Sequence, residues 1–253
     1  MFTDKVNDSR VSRGRGRPPG RTPQGLETRQ LLFDTAIELM AERGYPATTL
    51  RDVASQAGVS PGLLYRYFPS KQSVVLALYD DLSTRYATAA AAMPRGRWRD
   101  RFLFALRTSL DVLRPHRRTL SALVPVLVGD AEHGLFSAST AFSRVRVHQA
   151  FQDAVAGATD APRREIAGAL GRLLYLLHLA VLLWWLLDKS PGQRATKGLV
   201  ALIEQTMPAA GLALRLRPVA RLLRTGDALF GDALFDGSRP DRRSLGLGHA
   251  TPQ

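Results

Sequence analysis

The chain has 253 residues, 45% hydrophobic and 23% charged, enough to bury one large core or two smaller ones and far from disordered or fibrous compositions. Its 35 basic side chains against 22 acidic ones leave a formal charge of +13. There is no Cys, which excludes disulfides, thiolate metal sites and Cys nucleophiles and fits a reducing cytoplasm.

Only four of the basic residues are Lys, so the excess is Arg, whose planar fork donates bidentately to phosphate. That points to a polyanion as partner, nucleic acid before membrane surface. A GC-rich coding sequence would give the same Arg bias without function.

Residues 1–22 are polar and rich in Gly, Pro and Arg, a composition expected to stay disordered, and they lack the apolar run of a signal peptide. Arg13, Arg15 and Arg17 stand in an acid-free stretch whose "RGRP" (15–18) resembles an AT-hook. The expectation is an arm reaching into a minor groove beside the main contact. A solvated basic tail with non-specific attraction fits the composition nearly as well.

A helical pattern runs over 24–43, with Phe33, Ala36, Ile37 and Met40 on one face and Gly44 as the stop. The stretch "TTLRDVASQAGVSPGLLYRYFPSK" (48–71) then holds two helix starts around a tight turn. Thr49 can cap the first, with Asp52 completing a capping box. Ala57-Gly58-Val59 reverses the chain, and Gly58 takes a positive φ at no steric cost. Ser60 caps the second helix, with Pro61 at its first position. This is the pattern of a helix-turn-helix, whose second helix presents its N-terminal end to a major groove. Read on caps alone, a plain αα-corner fits about as well.

The residues carry more than caps. The Gly-Tyr pair at 44–45, Ala-Gly-Val-Ser at 57–60 and "LYRYFPSK" at 64–71 resemble, at matching spacing, the DNA-binding head of the tetracycline-repressor (TetR/AcrR-like) transcriptional regulators. The resemblance covers about residues 28–80. It implies an all-α protein with a three-helix DNA-binding head and a larger helical body for effector binding and dimerisation.

Carried over position by position, it implies backbone contacts from Tyr65 and Tyr67. Lys71 would pair with a phosphate, and Thr48, Thr49 and Arg51 would stand at the start of the second helix. Ser60, Pro61, Gly62 and Leu63 would face the groove, and Arg66 has the fork to read guanine.

Beyond the head, a helix continues from Lys71 to Pro94. Three more are expected between 95 and 158, broken at Pro115, "GDAEHG" (129–134) and "GATDAP" (157–162). Two follow, over 163–187 and 194–207, giving about nine helices and nothing that reads as strand. The apolar run 173–187 is 15 residues, about 22 Å as a helix, short of a bilayer core of about 30 Å. It reads as a buried helix, and no membrane is expected as partner.

The resemblance implies that the last two helices form a homodimer interface. Leu173, Leu177, Val181 and Trp184 would form one stripe of it. It also implies a small-molecule effector in the body, expected to be apolar or amphipathic. Phe104, Arg107, His148 and His178 are candidates for that pocket. The chain thus divides into an arm (1–22), a head (23–80), a body (81–210) and a basic tail (211–253) that its composition allows to be disordered. In the tail "GDALF" occurs twice in tandem, a pattern that fits a short docking motif and, more plainly, slippage in an unconstrained segment.

No metal-ligand spacing, phosphate-cradling glycine loop or paired carboxylates in an apolar setting occur, so neither enzyme activity nor a cofactor is expected. The reading is a cytoplasmic, dimeric regulator, a repressor released from a palindromic operator in double-stranded DNA by its effector. The alternative is a basic protein coating nucleoid or membrane surface without sequence choice.

Overall fold

The computed structural model describes residues 22–129, 132 and 134–235. The arm residues Arg13, Arg15 and Arg17, and the tail beyond 235, lie outside the described residues. Within them the chain is helical, with no strand: α1 (Pro23–Arg43), α2 (Leu50–Gln56), α3 (Pro61–Tyr67), α4 (Lys71–Ala90), α5 (Trp98–Leu113), α6 (Arg117–Ala122), α7 (Val124–Gly129), α8 (Ala141–Ala156), α9 (Arg164–Leu187), α10 (Arg194–Ala213) and α11 (Arg217–Phe230).

Helix α1 buries Leu32, Phe33, Ala36, Ile37, Leu39 and Met40 along one stripe. Against it pack Val53 and Ala54 of α2, Leu64 of α3, and Val74, Val75 and Leu78 of α4. This core does not stop at the head. Leu120 from α6, Leu123 and the α9 residues Trp185 and Leu186 belong to it too. A second core gathers Tyr86 and Ala90 of α4, Phe102 and Leu106 of α5, Phe151 of α8, Leu174, Tyr175 and Val181 of α9 and Ile203 of α10. Helix α4 runs through both cores and ties head to body as one rod of 20 residues. Such a rod transmits a tilt at one end to the other because packed interiors resist deformation.

Two expectations about segment boundaries change. The second helix of the 95–158 section is two short ones, α6 and α7, split at Leu123. Pro125 has no N–H to continue the ladder across that point. Residues 211–235, where the composition allows disorder, are described as the end of α10, then α11, then a single π-turn over Gly231–Phe235. Asp227, in the first "GDALF", pairs with Arg172 of α9 at 3.0 Å.

Helix α9 has 24 residues, close to the expected 163–187, and the apolar run 173–187 is its C-terminal part. By length and composition alone it could cross a membrane. In this fold one face, with Leu170, Leu174, His178 and Trp185, is buried between α5, α8 and α6. Gly171 sits against Gln152 of α8. A Cβ there would meet Oε1 at 2.7 Å and Cα at 3.1 Å, so a larger residue would have to swing the Gln152 amide aside and push the helices slightly apart.

Candidate nucleic-acid interface

The α2–α3 unit is assembled by its own polar side chains. Thr49 Oγ1 accepts from the Asp52 amide at 3.2 Å, and Asp52 Oδ2 accepts from the Thr49 amide at 3.1 Å and hydroxyl at 2.7 Å. The Thr49 hydroxyl, then its amide, hold the Asp52 carboxyl below the usual carboxylate range. Gly58 has φ +66° in the turn, and the Val59 amide bonds back to Ala54 O at 3.0 Å. Ser60 Oγ accepts from the Leu63 amide at 3.2 Å, with Pro61 opening α3.

This places the sequence-predicted residues unequally. Arg51, Thr49, Ser60, Pro61, Gly62, Tyr65 and Arg66 are exposed, and Leu63 and Tyr67 are half-buried. Together they leave the N-terminal end and outer face of α3, flanked by the start of α2, uncovered. Tyr65 is 46% exposed.

Two candidates are placed differently. Thr48 is buried, and its hydroxyl donates to Gly44 O at 2.9 Å, closing the loop that enters α2. Lys71 does not stand free for a phosphate. Its ammonium donates to the carbonyls of Tyr45 at 2.6 Å, Thr48 at 2.9 Å and Pro46 at 3.4 Å, and lies 4.3 Å from the Tyr45 ring centre. A cation at the start of a helix satisfies nothing in that helix, so it turns to the carbonyls of the adjacent loop. Tyr45 thereby supports the loop's anchor, a role its place in a Gly-Tyr pair gives no hint of.

In the body, the predicted interface stripe divides. Leu173 and Leu177 are half-buried and Trp184 is 50% exposed, and with Leu183, Leu187 and, on α10, Leu202 they form an apolar outer surface. Val181 is a correction: at 3.6 residues per turn it rotates away from that stripe into the second core, where it is 1% exposed. Trp185 likewise points inward, its Nε1 donating to Gln193 Oε1 at 3.0 Å.

The predicted pocket residues divide too. A cavity of about 110 Å³ lies among α4, α5, α8 and α9, roofed by residues from the 120–140 segment. Of the four candidates only His178 lines it. Phe104 lies elsewhere on α5, and Arg107 is exposed and paired with Glu204 of α10 at 2.6 Å. His148 accepts from the Gln152 amide at 2.9 Å on α8, its ring edge-on to Tyr175. The lining that pattern reading missed includes Tyr86, Ser109 and a set of leucines. Periodicity marks such residues as inward-facing and is silent on which of them border a void.

Among the described residues no group of three or more His, Asp or Glu is placed to hold a metal ion.

A family model for bacterial regulatory proteins of the tetR family matches residues 32–78, which are α1 from Leu32 through the first turns of α4. The chain is 41% identical over 80 residues to the HTH-type transcriptional repressor KstR2 of Rhodococcus jostii, covering 30% of this chain and 39% of that protein. It is 38% identical over 68 residues to the HTH-type transcriptional repressor Rv3405c of Mycobacterium tuberculosis, 27% of this chain and 34% of that one. These matches span little more than a third of the curated relatives. Over longer stretches the fold is similar to solved structures. A tetR-family transcriptional regulator from Streptomyces coelicolor aligns over 82% of this chain and 94% of its own, at 25% identity and TM-score 0.53. The TetR transcriptional regulator from Nitrosomonas europaea aligns over 71% and 97%, at 22% identity and TM-score 0.53.

Proposed function

We propose, from the premise that this chain belongs to the tetR family of bacterial regulatory proteins, that it is a sequence-reading repressor of transcription. The observation that carries the reading is the α2–α3 unit, capped at both helix starts and with α3's outer face left uncovered. Ser60, Pro61, Gly62 and Leu63 enter the major groove, and Arg66 supplies the fork for a base edge. Thr49, Arg51, Tyr65 and Tyr67 hold the phosphate walls. Thr48 and Lys71 position these groups by fastening the loop before α2. Arg13, Arg15 and Arg17 extend the contact into the minor groove.

One short helix reads few bases, so the protein acts as a homodimer on a palindromic operator in the cytoplasm. The partner copy covers the apolar strip of Leu173, Leu177 and Trp184, continued by Leu183, Leu187 and Leu202. A small molecule in the α4–α5–α8–α9 cavity shifts the heads through α4 and releases the DNA. No catalytic step and no cofactor enters this scheme. A surface coat without sequence choice, the alternative left open by charge, has no support among the relatives named above.

The test is selection of tight binders from random duplexes at two salt concentrations. An enriched palindrome with half-sites about one turn, ~34 Å, apart is the expected result. No enrichment, with affinity collapsing as salt rises, would overturn it in favour of the coat. On the enriched site, Arg66→Ala should cost about 1–3 kcal/mol and relax choice at one base pair.

A further inference from the structure

The cavity's wall is apolar nearly throughout, with Leu82, Leu113, Leu179 and Leu182 prominent in it. Its polar groups fall into two sets. On the α8 side Ser143, Thr140 and Arg144 each donate to the chain itself. Ser143 Oγ donates to Thr140 O at 2.9 Å and Thr140 Oγ1 to Gly134 O at 2.8 Å. Arg144 Nη1 donates to the carbonyls of Leu135 at 2.9 Å and Ser137 at 3.0 Å.

On the α4–α5–α9 side the polar groups are not all engaged. His178 is fully buried with Nε2 bonded to Ser109 Oγ at 2.8 Å, while its Nδ1 has no partner. The Tyr86 ring stacks on the imidazole, centroids 6.4 Å apart and 7° from parallel, and its buried hydroxyl also has none. Two polar atoms left unmatched on residues that line one cavity are costly, and native proteins keep such groups where something else completes them.

The same burial decides what can complete them. It pushes the His178 imidazole down to about 3 and the Tyr86 phenol upward, so both are neutral near pH 7. Neither supplies a charge to balance a carboxylate, and the one guanidinium in the lining, Arg144, has its Nη1 committed to the Leu135 and Ser137 carbonyls, so an anion placed at this pair would bear the desolvation that keeps the imidazole neutral. A hydroxyl both donates and accepts, so it matches the phenol and either tautomer of His178.

We infer that the cavity binds a neutral, largely hydrocarbon molecule of roughly ten non-hydrogen atoms, matching the void at about one water-sized sphere per 10–15 Å³. One hydroxyl on that molecule bridges Tyr86 Oη and His178 Nδ1. This specifies the effector's chemical class and rests on the effector reading above.

The test is calorimetric titration of the full chain with 1-nonanol and with nonanoate, alongside Tyr86→Phe. Nonanol is expected to bind at least tenfold more tightly than nonanoate. Tyr86→Phe should lower nonanol affinity about tenfold, or ~1.4 kcal/mol. Its thermal midpoint without ligand should be unchanged or higher, since it removes an unmatched hydroxyl and no packing atom. Nonanoate binding as tightly as nonanol, or a Tyr86→Phe chain that binds nonanol like the wild type, would overturn the inference. Operator affinity, measured separately by anisotropy, keeps the regulator reading apart. Nonanol that binds as described yet leaves DNA bound would sink the effector reading and leave the chemistry of the cavity standing.

Discussion

The ammonium of Lys71 sits among three carbonyl oxygens of the 45–48 loop and above a tyrosine ring, so its first work is on the protein rather than on DNA. Removing it strands those acceptors beside a part-buried helix start. Lys71→Met should therefore lower stability by about 1–2 kcal/mol in urea, at the lower end for charged hydrogen bonds because the site is partly wet. It should leave the slope of log affinity against log salt unchanged. A stable variant whose salt slope drops by about one would instead make Lys71 a direct phosphate contact. The cap at Thr49 behaves differently because it titrates. Asp52's carboxyl is lowered in the fold, chiefly by the Thr49 hydroxyl and then its amide. Its stabilising contribution is complete above the unfolded value near pH 4 and is lost as pH falls through the lower folded value. Thr49→Ala should cost about 1 kcal/mol at pH 7 and less at pH 2, read from urea midpoints at both pH values.

At the scale of elements, the close approach of α8 and α9 rests on a single missing side chain. Gly171→Ala puts a methyl within 2.7 Å of the Gln152 amide oxygen and 3.1 Å of its Cα, and backbone cannot step aside cheaply. A loss of about 1–3 kcal/mol is expected. Gly168, on the same helix, has no atom within 4 Å of an added Cβ. Gly168→Ala should be neutral or gain up to about 1 kcal/mol, because alanine favours the helix. Thermal unfolding of the pair separates packing from propensity. A like effect of both would mean that α8 and α9 do not meet as described. The joint between α9 and α10 is held by another local device. Asp188 accepts from Ser190 N at 2.8 Å, Thr196 N at 3.0 Å and Thr196 Oγ1 at 2.6 Å. Arg117 reaches the Asp188 carbonyl at 2.7 Å from α6, so the turn is fixed from two sides.

For the molecule as a whole, an apolar strip on the outer side of α9 and α10 stands uncovered among the described residues. Leu183, Trp184, Leu187 and Leu202 are each more than a third exposed, on helices whose inner faces are already committed to the core. Trp184→Arg puts a charge in the middle of that strip without touching either core. Sedimentation should show the wild type at twice the chain mass and the variant shifted to monomer, with operator affinity falling in step. A variant that stays dimeric would place the interface elsewhere. The first core joins head and body. Trp185 and Leu186 of α9 pack in it with α1 and α6 residues, and Leu186 also lines the cavity.

What the chain's order of residues determined by itself is local. The capping pair Thr49–Asp52, the positive φ at Gly58, the Ser60-Pro61 start and the inward stripe of α1 each depend on neighbours within a few positions, where backbone sterics and short hydrogen bonds decide. The family likeness of the head is legible for the same reason. The tertiary structure decided whatever depends on rotation and on distant partners. Val181 and Trp184 stand in one apolar run, yet helical rotation sends one into the core and the other to the surface. Lys71 meets a loop 23–26 residues away. His178 finds Ser109 across 69 residues, and the void beside them exists only because four helices fail to fill the space between them. Periodicity encodes that a side chain faces inward; what it faces is settled only when the helices pack.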